Sequence, residues 1–379
     1  MAAIARDGTA GPNGLPRRFH WLDFLRFMAA VSVVLHHYYF FYFDGLAIPM
    51  SKEEMVARFP SPLLGFFFHH GKDAVLFFWV LSGFVFAHTY FQRPADGPSF
   101  AIARFARLYP LHFATLIAML VLQVASTQLT GSAQVVGNND ARHFVLQLFL
   151  VSAWGLQAGE SFNAPIWSVS AEVGVYLVFY LMHRHRLFQT VAGQALALLT
   201  AIAASQWIGS GVILACAAFF FAGSLAYLLV RDRRPADFVI AAVLAGAALA
   251  FPNALTLFGE RQTLLVPAFA LVVLSCAWLD IIGLPGGRAA GHLGDFTYSV
   301  YLLHLPMIVA ALLVVDLTGV ADRGFLSSPL WLTFYLAAVF GAGIVCHRRF
   351  ERPADRAIRA WLTARREAPA TEPGETYAG

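Results

Sequence analysis

The chain has 379 residues, of which 59% are hydrophobic and only 13% charged, and its mean hydropathy is +0.64. That balance excludes a set of water-soluble domains and equally excludes a disordered chain. The net charge of +4 belongs to the segments between apolar runs, which gives no support to nucleic-acid binding.

Windows of roughly 20 residues, enough to cross about 30 Å of hydrocarbon, fall near 21–43, 73–92, 104–126, 166–182, 188–208, 211–230, 237–252, 262–282, 294–317 and 329–347. The expected fold is therefore all-α: a polytopic integral membrane helical bundle of about ten transmembrane helices. The first run follows Arg17 and Arg18 as a signal peptide would, but no small-x-small cleavage site follows it, so it reads as a retained span. A shorter apolar piece, "HFVLQLFLVSAWG" at 143–155, reads as a re-entrant or interfacial helix. Were it a full span, every later loop would flip and "HRHR" (183–186) and "RDRR" (231–234) would lie outside, against the excess of Arg and Lys that cytoplasmic loops carry. With ten spans, Arg17, Arg18, Arg93, Arg104, Arg107, Arg184, Arg186, Arg231, Arg233, Arg234, Arg288 and the basic tail collect inside, leaving Lys52, Arg58, Lys72, Arg142, Arg261 and Arg323 outside. Both termini are then cytoplasmic. The expected organisation is a disordered tail at 1–16, one membrane domain at 17–358 and a cytoplasmic tail at 359–379. Cys216, Cys276 and Cys346 lie singly in apolar runs without metal-ligand spacing. No internal repeat is evident, which disfavours a transporter built from duplicated halves.

Within these spans a few polar residues stand out, because a charge at the bilayer centre costs roughly 2.5–3.5 kcal/mol on insertion scales. In "WLDFLRFMAAVSVVLHHYYFFYF" (21–43), His37 follows Arg26 by eleven positions, about 20° from the same helix face and about 16 Å along the axis. His36 lies about 80° off that face. Asp23, one turn before Arg26, can pair with it; the plainer reading is that this pair only anchors the helix end. Ser82 and Gly83 interrupt the aromatic run "GKDAVLFFWVLSGFVF" (71–86), where small residues admit another backbone or a ligand. In "ARFARLYPLHF" (103–113), Arg104 and Arg107 share a face at the cytoplasmic boundary, where paired guanidinium groups suit phosphate. Glu172 lies inside "NAPIWSVSAEVGVYLVFY" (163–180) after Trp167 and Ser170, and should face His37, an arginine or water. His304 sits mid-span in "LGDFTYSVYLLHLPMI" (293–308) with Tyr301 one turn earlier, and Glu351 closes the last span in "HRRFERPADR" (347–356).

These motifs, in this order, resemble the acyltransferase 3 family of bacterial membrane O-acyltransferases over residues 19 to 355. The family's Leu-Asp-Gly-Leu-Arg, ten residues and His is matched by Leu22, Asp23, Leu25, Arg26 and His37. Its Phe-Phe-x-Leu-Ser-Gly-Phe is similar to Phe77–Phe84, and its Arg-x-x-Arg before Tyr-Pro to Arg104, Arg107, Tyr109 and Pro110. Trp-Ser-x-Ser-x-Glu corresponds to Trp167–Glu172, Tyr-Ser-x-Tyr-Leu-x-His to Tyr298–His304, and Glu-x-Pro to Glu351–Pro353. Phe24 and Phe27 depart from the family by standing where it often has glycine, and the chain resembles stand-alone members without an esterase-like domain after the last span.

The resemblance implies transfer of an acyl group, most often acetyl, from acyl-CoA as co-substrate to a hydroxyl of a sugar or other glycosylated acceptor, with no permanently bound cofactor and no metal. On that reading His37, Glu172 and Asp23 are the catalytic candidates; Arg26, Arg104, Arg107, Ser82 and Gly83 bind the donor; Trp167, Ser170, Tyr301, His304 and Glu351 contact substrate or hold the frame. Histidine is a suitable base near neutral pH, acting on the acceptor directly or first carrying the acyl group itself. The expected partners are the lipid bilayer, acyl-CoA and a glycan or glycosylated small molecule, with a homodimer left open, in a bacterial inner membrane. A surface or exopolysaccharide precursor is the first expectation for the acceptor and a macrolide or other secondary metabolite the second; a transporter of lipid-linked sugars and an inactive sensor or scaffold are the readings from other classes.

Overall fold

The structure is a computed structural model and describes residues 14–43, 45–47, 51–57, 59, 61–91, 96–208, 211–255, 262–320 and 323–367. Most of the expected N-terminal tail, Arg58, Arg93, Arg261 and residues 368–379 lie outside the described residues.

The apolar windows become helices. In chain order these are α1 (His20–His37), α2 (Lys52–Ala57), α3 (Pro62–His69), α4 (Gly71–Tyr90), α5 (Gly97–Thr130), α6 (Ala141–Leu148), α7 (Ile166–His183) and α8 (Val191–Ile208). They continue as α9 (Val212–Asp232), α10 (Pro235–Ala250), α11 (Leu265–Ile281), α12 (Gly287–Gly291), α13 (Thr297–Thr318), α14 (Pro329–Cys346) and α15 (Arg352–Glu367). Among the described residues nine helical segments are long and apolar enough to cross a membrane, and α10, with 16 residues, is a shorter tenth. No β-strand occurs among them. The helical membrane bundle is thus as expected from composition.

Two local features set the depth of the polar residues. First, α5 has 34 residues, about 51 Å at 1.5 Å per residue, well beyond the hydrocarbon thickness, so its first turns carry Arg104 and Arg107 to the edge of the apolar layer without breaking the helix. Asp96 caps it by accepting from Ser99 N (3.2 Å), and Gly131 ends it at φ 83°. Second, α1 is prolonged by a 3₁₀ turn at Tyr38–Tyr42, which lengthens the span to 23 residues and puts His37 at the junction.

The piece at 143–155 does not cross. Its helical part is only α6, capped by Asp140, which accepts from the His143 backbone N–H (2.9 Å); that bond holds the Asp140 carboxyl below the usual carboxylate range. The chain turns at Leu150 (φ 56°), and α6 is held to α5 and to the loop before α7 through His112 Nε2 to Gln147 O (2.8 Å) and Gln147 Nε2 to Ser161 O (2.5 Å). Short helices α2 and α3 were not legible as apolar windows; α3 lies against α1 through Ser32 Oγ to Phe67 O (2.7 Å).

The core lies between α4 and α9. A Cβ on Gly83 would stand 1.7 Å from Phe220 O, and one on Gly223 1.9 Å from Val80 O, so each helix enters the other through a glycine. Ser224 Oγ donates to Gly83 O across the contact (3.0 Å). The start of α1 is tied to the end of α11 by Trp21 N to Asp280 Oδ2 (2.9 Å), and α15 to the start of α5 by Arg359 to Ala103 O (3.0 Å) and an Arg366–Asp96 ion pair. Arg18 bonded to Asp295 and Ser299 bonded to Glu351, both at the start of α13, put the start of α1 and the start of α15 at one end of the bundle. The domain edge expected at 358 falls inside α15, which is a docked helix as far as Glu367.

Candidate active site

The first helix holds its polar residues at two depths. At its start, Asp23 is clasped by two arginines: Arg18 Nε donates to Oδ2 (2.6 Å) and Arg26 Nη1 to Oδ1 (2.8 Å). Arg18 also reaches Asp295 Oδ1 (2.7 Å), tying α1 to the start of α13. The Asp23 carboxylate therefore orients Arg26 and lies about 21 Å along the axis from His37, out of contact with it.

At the other end of α1 the two histidines differ in surroundings. His36 is buried, with Nδ1 on Phe68 O (2.9 Å) and its Cβ against the backbone of Gly71, where a glycine Cβ would come within 2.0 Å. It fastens α1 to α3 and α4. His37 Nδ1 lies 2.9 Å from Val33 O. A carbonyl only accepts, so in the neutral ring Nδ1 carries the hydrogen and the lone pair stands on Nε2. Lys72 is the charged side chain acting on this ring.

The ring adjacent to His37 belongs to His304, with centroids 4.8 Å apart. His304 is fully buried and neither ring nitrogen has a hydrogen-bond partner among the described residues. Tyr301, one turn earlier, donates to Pro165 O (2.8 Å) and shares a hydrogen bond with Ser168 Oγ (2.6 Å), which joins α13 to the start of α7. Trp167 stacks edge-on with Trp79 of α4 (5.8 Å). Ser170 faces the non-spanning loop, accepting from Ala153 N (3.0 Å) while its carbonyl accepts from Trp154 Nε1 (3.0 Å). Ser170 and Trp167 thus frame the site from behind.

Glu172 lies away from His37. Of the three neighbours allowed by the sequence, the structure supplies arginine: Ser82 and Tyr176 are beside the carboxylate, and Arg104 and Arg26 are the positive charges acting on it. Its Oε1 is buried with no hydrogen-bond partner among the described residues. The reason is depth. Ser82 is eleven residues into α4, about 16 Å from the end where His37 sits, and Glu172 takes Ser82's level. The place beside His37 is occupied by His304.

The two arginines of α5 have different duties. Arg107 makes an ion pair with Glu351, which is buried and also accepts from Ser299 Oγ (2.5 Å). A π-helical turn at His347–Glu351 aims Glu351 inward. Arg104 forms no ion pair among the described residues; its guanidinium lies over Phe86 (4.7 Å) and Tyr90 (5.7 Å), and Nε is buried without a hydrogen-bond partner. Gly83 belongs to the α4–α9 crossing and leaves no space for a ligand, whereas Ser82 faces Glu172.

Four side chains of this polar interior were missed in the sequence. Tyr176 lies one helical turn after Glu172, a spacing that could have found it. Asn163 and Asp295 enter through contacts between segments far apart in the chain, for which no local signal exists, whereas Arg18 lies only five residues before Asp23 and was read as a flanking charge alone.

The molecule is a multi-pass helical membrane protein whose polar interior runs from a set of arginines past a buried carboxylate to a pair of histidines. A family model described as an acyltransferase domain matches residues 19–348. The chain belongs to that family, the acyltransferase 3 family, and is an acyltransferase. It is similar to Acyltransferase MdmB of Streptomyces mycarofaciens, with 30% identity over 342 residues, covering 80% of this chain and 84% of the relative. No solved structure matches the chain.

Proposed function

We propose that the enzyme moves an acyl group, in the first instance acetyl, from acyl-CoA to a hydroxyl of a sugar in a surface polysaccharide or exopolysaccharide precursor, in a bacterial inner membrane. The observation that carries this reading is the fixed Nε2 lone pair of His37, on the α1 face that also carries Arg26. The acceptor hydroxyl attacks the thioester carbonyl and its proton passes to Nε2. The tetrahedral adduct then expels the thiolate, which takes that proton and leaves as the free thiol. Arg104, which forms no ion pair among the described residues, suits the phosphates of the donor, with Arg26 a second positive charge acting near Glu172. The arginine-bearing end, where α1 starts and α15 docks, is the cytoplasmic side on the positive-inside rule. That side is also where coenzyme A is found.

The test is acylation of membrane glycans or glycosylated acceptors by cells or vesicles carrying His37→Ala and His36→Ala. His37→Ala should abolish transfer, while His36→Ala, whose ring fastens helices, should leave a measurable fraction at lower protein stability. Equal activity of His37→Ala and wild type would refute the assignment.

A further inference from the structure

His304 is an imidazole in the interior with no surface exposure and, among the described residues, no hydrogen-bond partner for either nitrogen. The carbonyls of Val300 and Tyr301 on its own helix lie near the ring but outside hydrogen-bonding geometry. Burying a polar ring unsatisfied is costly, so the residue calls for a ligand group or a purely structural reason. A packing role alone would be served as well by an apolar side chain.

The backbone around it is held from two sides. Pro306 has no N–H, so the carbonyl of Leu302 loses its helical donor; Asn163 Nδ2 supplies one instead (3.1 Å) and also reaches Thr115 Oγ1 (3.2 Å). On the opposite flank Tyr335 OH donates to the carbonyl of His304 itself (3.3 Å). The loop before α7, α5, α13 and α14 thereby fix the position of one side chain whose own nitrogens are free. That is the arrangement of a site residue on a rigid support.

We infer that His304 is a second catalytic histidine, which donates an N–H hydrogen bond to the acyl carbonyl oxygen as negative charge develops there. The inference rests on the acyl-transfer reading above. With the centroids 4.8 Å apart, a carbonyl carbon that meets the hydroxyl at His37 Nε2 has its oxygen within reach of the neighbouring ring. As the carbon–oxygen bond to the acceptor forms, the carbonyl π pair moves onto oxygen and the hydroxyl proton moves to His37. When the carbon–sulfur bond breaks, that pair returns and the proton leaves with the thiolate. His304 takes no proton in this sequence. Two adjacent positive imidazoles in a membrane interior would repel strongly, so the ring that does not accept the proton serves as a neutral donor.

The experiment compares His304→Phe, which keeps an aromatic ring without a donor, with His304→Gln, which keeps an N–H, in purified protein supplied with acetyl-CoA and an acceptor that the wild type acylates. Removing one such donor should lower kcat about 10²- to 10³-fold at unchanged KM for the thioester in His304→Phe, while His304→Gln recovers to within about tenfold of wild type. Thermal stability in detergent for both should stay near wild type. A His304→Phe variant with wild-type kcat, or a His304→Gln variant as slow as His304→Phe, overturns the assignment. If wild type itself releases no thiol, or His37→Ala acylates normally, the underlying reading fails first.

Discussion

Replacing Gly83 with alanine asks whether the Ser82–Gly83 step serves helix packing or ligand binding. The added Cβ would sit 1.7 Å from Phe220 O and 2.6 Å from its carbonyl carbon, both backbone atoms that no rotamer change can move aside. To restore ordinary contact, α4 and α9 must part by roughly 1.5 Å, and such overpacking typically costs about 1–3 kcal/mol. The parting also breaks the Ser224–Gly83 hydrogen bond, worth about 0.6–1.7 kcal/mol between membrane helices, so a loss of about 2–4 kcal/mol is expected. Thermal unfolding in detergent, followed by monodispersity, reads this directly. Gly246→Ala is the control: its Cβ would meet nothing within 4 Å, and in the middle of α10 alanine should stabilise by about 0.5–1 kcal/mol. Donor KM in the folded fraction of Gly83→Ala should remain that of wild type. A Gly83→Ala protein that melts with the wild type, or that loses donor affinity alone, would refute the packing account.

Arg104→Ala should raise the donor KM with little change in stability, because its guanidinium lies over Phe86 and Tyr90 and forms no ion pair among the described residues. Arg107→Ala should instead unfold the protein at lower temperature, since it leaves the buried Glu351 with only Ser299 and the His347 ring beside it and breaking a buried pair costs about 3–5 kcal/mol; equal effects of the two on KM would refute this division. Glu172→Gln keeps shape and most hydrogen bonds but removes the acidic group on which Arg104 and Arg26 act. It should lower acyl transfer strongly, through donor KM, at near-normal melting temperature; unchanged turnover and KM would leave Glu172 a structural residue.

The spans were legible because a membrane helix advertises itself by length and apolarity. The expected 104–126, for example, is the interior of α5, and 329–347 is nearly coincident with α14. What the sequence could not carry is where those spans meet. The His36–His37 distinction followed from helical rotation alone and matches their different surroundings in the structure. Glu172 could not be assigned a partner because depth along two antiparallel helices is not a property of either one, and the structure puts it with arginine rather than with His37. Arg104 and Arg107 look equivalent in "ARFARLYP", yet the π-turn that brings Glu351 to Arg107 arises at the far end of the chain. The piece at 143–155 was set apart from the spans, and its helical part, α6, has only eight residues; α3 was missed: at eight residues it is too short to register as an apolar window, although its Phe68 is buried against α1.

The central claim is base-assisted acyl transfer at His37, and its most direct test is stoichiometry in purified protein reconstituted into lipid nanodiscs. With acyl-labelled acetyl-CoA and a hydroxyl acceptor, free thiol and labelled ester should appear one for one in the wild type, and both should vanish in His37→Gln while the protein stays folded. Thiol release and ester formation that continue undiminished in His37→Gln would contradict the account.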